Sequence, residues 1–153
     1  MKPLTAADVA CVGHLLPYTA LHILRVLGED AGLALLNTLP GVQITVPRHP
    51  DRHPAGARRW AMLAGIVGAD GMAALADEFG ATVLEIPVCD EARKEARNRA
   101  IRAEFDRLTM KEGASKAQAI YELGLLHRPI TYRQLEKIVD RPDVVESRQA
   151  GLF

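Results

Sequence analysis

The chain has 153 residues, with nineteen basic and nineteen acidic side chains, so its formal net charge is zero at pH 7. Its composition, 48% hydrophobic and 25% charged, is that of a soluble protein with one compact domain or two small ones. The charge is divided unevenly, since residues 1–90 hold six bases and nine acids while residues 91–153 hold thirteen and ten. A basic C-terminal half favours a polyanionic partner, although a surplus of this size does not identify one.

Cysteine content and hydropathy give the expected location of the protein. Its two cysteines, Cys11 and Cys89, are too few for a disulfide framework and favour a reducing compartment. No apolar run approaches the ~20 residues of a membrane span, and no charged-then-apolar leader is recognisable. We therefore predict a cytoplasmic protein with no membrane contact.

A weak internal repeat dominates the N-terminal half. Thr5 is a candidate cap for a first short helix, and a second helix is predicted over residues 19–27, with residues 57–67 as its counterpart. Residues 27–48 then match residues 67–88 without a gap, at an offset of forty. The identical pairs are Gly28 and Gly68, Asp30 and Asp70, Ala34 and Ala74, Leu35 and Leu75, and Pro47 and Pro87.

Each copy of the repeat predicts a helix, a turn and a strand. Asp30 or Asp70 is the candidate N-cap, and an alternating apolar run closed by proline follows. One such unit cannot bury its own apolar faces, so the two copies are expected to pack together around a small antiparallel sheet. The predicted dimer-like or pseudo-dimer core consists of Leu35, Leu39, Ile44, Val46, Leu75, Phe79, Leu84 and Ile86.

The copies are joined by a turn-rich linker that reads HPDRHPAG. Its two histidines, His49 and His53, stand four residues apart, which is a spacing that helical metal ligands use. Pro50 and Pro54 oppose the helix that this spacing needs, so we predict no metal site and no cofactor.

The C-terminal half predicts three helices. The first spans residues 90–108, Ser115 is a candidate cap for a second over 116–123, and residues 124–129 connect it to a third over 130–139, which starts near Thr131. The predicted fold is α+β and mainly helical: duplicated helix–strand units in a domain over 1–90, then a helix-turn-helix domain over 91–153.

The third helix of this domain carries the candidate DNA contacts. Arg133 and Gln134 are side-chain types that can contact base edges in bidentate fashion, whereas Thr131, Tyr132 and Lys137 are better suited to phosphates. Further predicted contacts are Arg97, Arg99, Arg102, Ser115 and Lys116. A charged helix face is also ordinary for a solvated surface, so this pattern alone does not establish DNA binding.

The second repeat and the residues after it resemble the Mor transcription activator family, the middle-operon regulators of Mu-like phages. The similarity covers about residues 67–140. It is carried by the helix over 73–79, the strand ending at Ile86 and Pro87, the segment Arg97–Ile101 and the helix pair that ends at Val139. The resemblance implies a homodimer of helix–strand units, a helix-turn-helix that binds double-stranded DNA, and recruitment of RNA polymerase.

Several alternatives remain open at the level of sequence. Residues 106–114 and 124–129 are longer than the family pattern, and a second register would make 144–149 the recognition helix. Because one chain carries both helix–strand units, residues 19–88 are open to forming a pseudo-dimer within the chain. The alternative function is a protein-interaction module, such as a phage-encoded inhibitor or adaptor, that does not read DNA. No nucleophile–base pair or phosphate-cradling loop indicates an enzyme.

Overall fold

The structure, a computed structural model, describes residues 2–146. They are mainly helical, with one two-stranded antiparallel sheet. The chain divides into two compact units, residues 3–92 (unit 1) and residues 93 onward (unit 2). The elements in chain order are α1 (Ala6–Val12), a 3-10 turn (Gly13–Leu15), α2 (Tyr18–Leu27), α3 (Glu29–Thr38), β1 (Gln43–Thr45), α4 (Pro54–Phe79), β2 (Val83–Glu85), α5 (Asp90–Asp106), a π-helical segment (Arg107–Lys111), α6 (Lys116–Leu126) and α7 (Tyr132–Val139).

Helix α1 begins at Thr5, as the sequence predicts. The Thr5 hydroxyl accepts a hydrogen bond from the Asp8 amide at 3.1 Å, and the Asp8 carboxylate accepts one from the Thr5 amide at 2.9 Å. This reciprocal pair satisfies two backbone donors that a helix start leaves open. The Asn37 side chain of α3 makes two further hydrogen bonds with the backbone of Leu4, at 2.9 and 2.8 Å, and so connects the residue that precedes the Thr5 cap to α3.

Glycines with positive φ separate the paired helices of unit 1. Gly28 (φ 83°, ψ 167°) lies between α2 and α3, and Gly68 (φ 81°, ψ 171°) interrupts α4 in the same conformation. Residues that carry a side chain rarely adopt this backbone geometry, which explains why glycine stands at both positions. The predicted Asp30 cap is wrong, because Gly28 occupies the N-cap position and makes no side-chain hydrogen bond. Asp30 lies in the first turn of α3, where its negative charge interacts favourably with the helix dipole.

The predicted small antiparallel sheet is confirmed. Strands β1 and β2 pair with Gln43 opposite Glu85, Ile44 opposite Leu84 and Thr45 opposite Val83. Ile44 and Leu84 lie on the buried face of the sheet and are 6% and 5% exposed, respectively. Hydrogen bonds flank the ladder from Gly41 N to Ile86 O (2.7 Å), Ala81 N to Val46 O (2.8 Å), Ile86 N to Val42 O (2.9 Å) and Val46 N to Thr82 O (3.0 Å).

Six of the eight residues predicted for the core of this unit are buried: Leu35, Ile44, Val46, Leu75, Leu84 and Ile86. The other two, Leu39 and Phe79, are only partly buried, so their predicted central position is wrong. Leu39 already lies at the C-cap of α3, where the chain leaves the helix. Phe79 ends α4 and packs against the ring of His22, with centroids 5.1 Å apart, at a partly exposed site.

Unit 2 is built on α5 to α7. The caps predicted for the last two helices are confirmed: the Ser115 hydroxyl accepts from the Gln118 amide at 3.1 Å, and Thr131 forms a capping box with Gln134. Helix α6 continues to Leu126, so the connector predicted to start at residue 124 begins at 127 instead. The core of the unit contains Ile101, Leu108, Ala119, Ile120, Leu123, Leu135 and Ile138.

Helix α4 is the one described helix that is long and apolar enough, by length and composition, to cross a membrane. Gly68 divides it into residues 54–67 and 69–79, both shorter than the ~20 residues that span a bilayer. Leu63, Met72 and Leu75 along this helix are fully buried or nearly so. Packing inside unit 1 accounts for these buried side chains.

Candidate nucleic-acid interface

Helices α6 and α7 form the candidate interface, because one face of α7 is buried and the other is polar. Leu135 and Ile138 pack into the core with Leu123 of α6. This spacing of three residues places both apolar side chains on one side of the helix. The exposed residues of α7 and its cap include all five that the sequence predicts to contact DNA there: Thr131, Tyr132, Arg133, Gln134 and Lys137.

Two of these residues share a groove with a predicted residue of α5. The groove has a volume of about 450 Å³ and is lined by Arg97, Pro129, Ile130, Gln134, Lys137 and Ile138. Arg97 is partly buried and donates two hydrogen bonds to the Asn98 side-chain oxygen, at 3.1 and 2.9 Å, which restrict its orientation. Two cations thus border one concave surface, an arrangement suited to a phosphate.

Arg133 and Lys137 are the two basic side chains of α7. Within residues 2–146, neither forms a hydrogen bond or ion pair through its side chain, and both are exposed. A guanidinium presents donors in a planar fork, whereas an ammonium acts as a point charge. Arg133 is therefore equipped for bidentate contact with a base edge and Lys137 for contact with a phosphate.

Gln134 has a structural role that the sequence analysis did not assign. Its side-chain oxygen accepts a hydrogen bond from the Thr131 amide at 2.9 Å and closes the capping box of α7. A bidentate contact with adenine uses both the oxygen and the nitrogen of the side-chain amide. Gln134 would have to give up its cap to make this contact, so Arg133 is the better candidate for reading a base.

Arg99 and Arg102 are occupied by intramolecular partners. Arg102 binds Glu95 at 2.9 Å, Asp143 at 2.8 Å and the Ile138 carbonyl at 2.9 Å. Arg99 Nε lies 3.5 Å from Glu95, and its guanidinium also donates to the Val144 carbonyl. Although burial opposes it, hydrogen bonding to Glu95 and Asp143 raises the pKa of Arg102. Neither arginine is available to a phosphate without loss of these contacts.

Ser115 and Lys116 also serve local structure. The Ser115 hydroxyl caps α6, and Lys116 Nζ forms an ion pair with Asp140 at 2.9 Å. Hydrogen bonding to Asp140 raises the pKa of Lys116. This ion pair joins the start of α6 to the end of α7, and both partners are more than half exposed. Of the predicted cations, Arg97, Arg133 and Lys137 are therefore the ones that form no ion pair with an acidic side chain of residues 2–146.

The structure adds contacts that the sequence analysis missed. Pro129 and Ile130 line the groove, and the buried carboxylate of Glu95 accepts a hydrogen bond from the Val144 amide at 2.9 Å. Such long-range pairs have no local sequence signal. The alternative register predicts the recognition helix at residues 144–149. Residues 144–146 are not helical, and residues 147–149 lie outside the described part of the chain.

Comparison with known proteins gives no independent assignment. A scan against protein-family models, a search of curated proteins and a search of solved structures each returned no match to this chain. Among residues 2–146, no group of three or more His, Cys, Asp or Glu side chains is arranged to hold a metal ion. The function is therefore argued from the chemistry of the surface itself.

Proposed function

We propose that the chain is a sequence-specific DNA-binding transcriptional regulator of phage or prophage type, with α6 and α7 as its helix-turn-helix. The observation that carries this proposal is the uncompensated charge on α7. Arg133 and Lys137 are exposed and unpaired among the described residues, on a helix whose opposite face is anchored by Leu135 and Ile138. A recognition helix requires this combination of an anchored inner face and a free polar outer face.

Within this proposal the exposed residues have distinct roles. Arg133 lies in the first turn of α7, from which recognition helices contact bases, and it is assigned to base reading. Lys137 and Arg97 border the groove and are assigned to phosphate contacts. Tyr132 and Thr131 are assigned to further contacts with the sugar–phosphate backbone of the DNA. Recruitment of RNA polymerase in the cytoplasm, which resemblance to the Mor family implies, would follow DNA binding.

We further propose that unit 1 is a pseudo-dimer of duplicated helix–strand units. Equivalent positions of the repeat face each other: Ile44 pairs with Leu84 at the centre of the sheet, and a Cβ placed on Gly71 would lie 3.4 Å from the Cβ of Ala31. The hydrogen bonds around the ladder also occur in pairs related by the offset of forty. These equivalences support an approximate twofold axis between the two copies.

The pseudo-dimer has a consequence for assembly. A Mor-type dimer is expected to form its helix–strand pair from two chains, whereas this chain supplies both units. Each unit 1 would then carry one DNA-reading helix, and a homodimer would have to form through a different surface. Sedimentation equilibrium and circular dichroism over a dilution series distinguish these arrangements. A dimer that needs the helix–strand pairing between chains would lose helical signal as it dissociates, whereas the pseudo-dimer stays folded as a monomer.

A protein-interaction module is the second candidate function, favoured by the exposed apolar residues of α6. Tyr121, Leu125 and Leu126 are 60%, 50% and 69% exposed. Large apolar side chains on one surface are a common mark of a protein partner. The acidic residues expected beside them are less prominent, because Asp140 is paired with Lys116 and Glu136 is partly buried.

Fluorescence anisotropy with labelled duplexes tests the DNA-binding proposal. The protein is titrated into random duplexes and into a site selected from a random pool, across a salt series. We expect salt-dependent binding to every duplex and tighter binding to the selected site, because phosphate contacts release counterions and base contacts discriminate. Absence of salt-dependent binding at micromolar protein would exclude this function and leave the helix pair as a protein-docking surface.

A further inference from the structure

Unit 1 contains a cavity that the proposed DNA-binding function does not use. It has a volume of about 310 Å³ and lies between the end of β1, the linker and the start of α4. Its apolar wall includes Val46, Pro47, Gly56 and Ala81. The basic side chains around it are Arg48, His49, Arg52, His53 and Arg59.

Three arginines line this cavity, namely Arg48, Arg52 and Arg59. Among residues 2–146, Arg48, Arg52 and Arg59 form no hydrogen bond or ion pair through their side chains, and the Nε atom of Arg59 is buried without a partner. A buried charged donor without a partner is costly unless a ligand or water satisfies it. The sequence around them supplies one acid, Asp51, which does not line the cavity.

The start of α4 increases the positive potential of this site. His53 occupies the N-cap position, and its side chain makes no capping hydrogen bond. Pro54 has no N–H group, so the amides of Ala55 and Gly56 are the donors that this helix start leaves without a side-chain cap, at the positive end of the helix dipole. The residues Arg48, His49, Arg52, His53 and Arg59 thus line the cavity beside this helix end.

We propose that this cavity binds a small organic phosphate. The planar guanidinium groups can donate paired hydrogen bonds to phosphate oxygens, and the apolar wall formed by Val46, Pro47 and Ala81 can contact a non-polar body attached to the phosphate. A partly open cavity of about 310 Å³ suits a compact ligand. The backbone of a duplex, by contrast, presents a row of phosphates that is matched by an extended surface. The site is independent of the proposed helix-turn-helix.

Isothermal titration calorimetry with adenosine monophosphate as the probe tests this site. The full chain is compared with Arg59→Gln and Arg52→Gln, which remove cavity cations, and with Arg58→Gln as the matched control. Arg58 neighbours Arg59 in α4 but is exposed and does not line the cavity. We expect the first two variants to weaken binding about tenfold or more, as for other hydrogen bonds to charged groups, and the control to bind like the wild type.

A cavity-filling variant gives a test that does not alter charge. A Cβ on Gly56 would lie 4.0 Å from the nearest atoms, those of His53 and Pro47, so the backbone tolerates a side chain there. Gly56→Leu should therefore fold, as checked by circular dichroism, and should abolish binding of the probe. Binding of adenosine monophosphate by folded Gly56→Leu with wild-type affinity would overturn the proposal.

The source of the phosphate is decided by a parallel titration with duplex DNA. If a small organic phosphate is the ligand, Arg59→Gln and Arg52→Gln leave duplex affinity unchanged while they weaken binding of the nucleotide. The proposal is overturned if the probe does not bind at millimolar concentration, or if Arg58→Gln weakens binding as much as Arg59→Gln. It is also overturned if the cavity variants weaken duplex binding as much as nucleotide binding.

Discussion

Neighbouring parts of unit 2 use the same residue types for different purposes. In one part, Arg102 pairs with the buried Glu95 and with Asp143, which is about half exposed. In the other, Arg97 and Lys137 border an open groove, and neither has an acidic partner among residues 2–146. The comparison indicates that an arginine count along α5 and α7 does not locate a DNA interface. The relevant property is whether an acidic side chain already neutralises the charge.

The largest expected effect belongs to the buried network. Glu95→Gln should lower the free energy of unfolding by ~3 kcal/mol, because removing one partner of a buried pair leaves a desolvated charge less well compensated. Glu95 is 6% exposed, and Asp143 still pairs with Arg102 in the variant. Urea unfolding followed by circular dichroism measures the loss.

Glu104→Gln is the matched control for this prediction. It removes the same charge from the same helix, at a more exposed ion pair with Arg107. Exposed pairs contribute little because water screens them, so this variant should unfold near the wild-type urea concentration. Equal destabilisation by the two substitutions would show that the network around Glu95 is not the stabilising feature of this part of unit 2.

The next effect concerns base reading by α7. Arg133→Ala should cost ~1–3 kcal/mol at one base pair of the selected site and relax specificity there, with little change on random duplexes. Anisotropy on a panel of single-base variants of the site measures both quantities. If Arg133→Ala weakens the selected and random duplexes equally, Arg133 contacts phosphate instead and the assignment is wrong.

A smaller and uniform effect is expected for the groove cations. Lys137→Ala or Arg97→Ala should weaken binding to all duplexes alike and reduce the salt slope by about one, as for the loss of one phosphate contact. Arg102→Gln provides a contrast to these two variants. It should lower the free energy of unfolding, because Arg102 pairs with the buried Glu95, and it should leave the salt slope of the folded protein nearly unchanged. An unchanged salt slope in both groove variants would remove the groove from the interface.

The smallest effect is predicted for the Lys116–Asp140 ion pair. Hydrogen bonding to Asp140 raises the pKa of Lys116 in the folded protein, so the pair contributes stability below the ordinary lysine pKa of ~10.4 and loses it as the pH rises through the higher folded value. Wild type and Lys116→Gln should therefore differ slightly at pH 7 and converge under strongly alkaline conditions. Because its charge is already paired with Asp140, Lys116 is expected to contribute less to DNA affinity than Lys137 does. A stability difference that persists or grows with pH would contradict the ion-pair explanation.

The sequence by itself determined the features that depend on near neighbours. The caps at Thr5, Ser115 and Thr131 each involve an amide three residues away, so a short pattern contains both partners. The strand pair was also predictable, because its alternating apolar residues require one buried face. These interactions are local, and their partners can be read from a few adjacent positions.

Only the tertiary structure decided which predicted contacts are available. Arg102 meets Asp143 across 41 positions and Lys116 meets Asp140 across 24, distances at which sequence carries no pairing signal. The partial exposure of Phe79 likewise depends on where α4 ends, and not on its apolar character. Neutralisation of a charge and burial of a ring are set by what the folded chain brings beside them, so the open groove of unit 2 and the basic cavity of unit 1 became visible only in three dimensions.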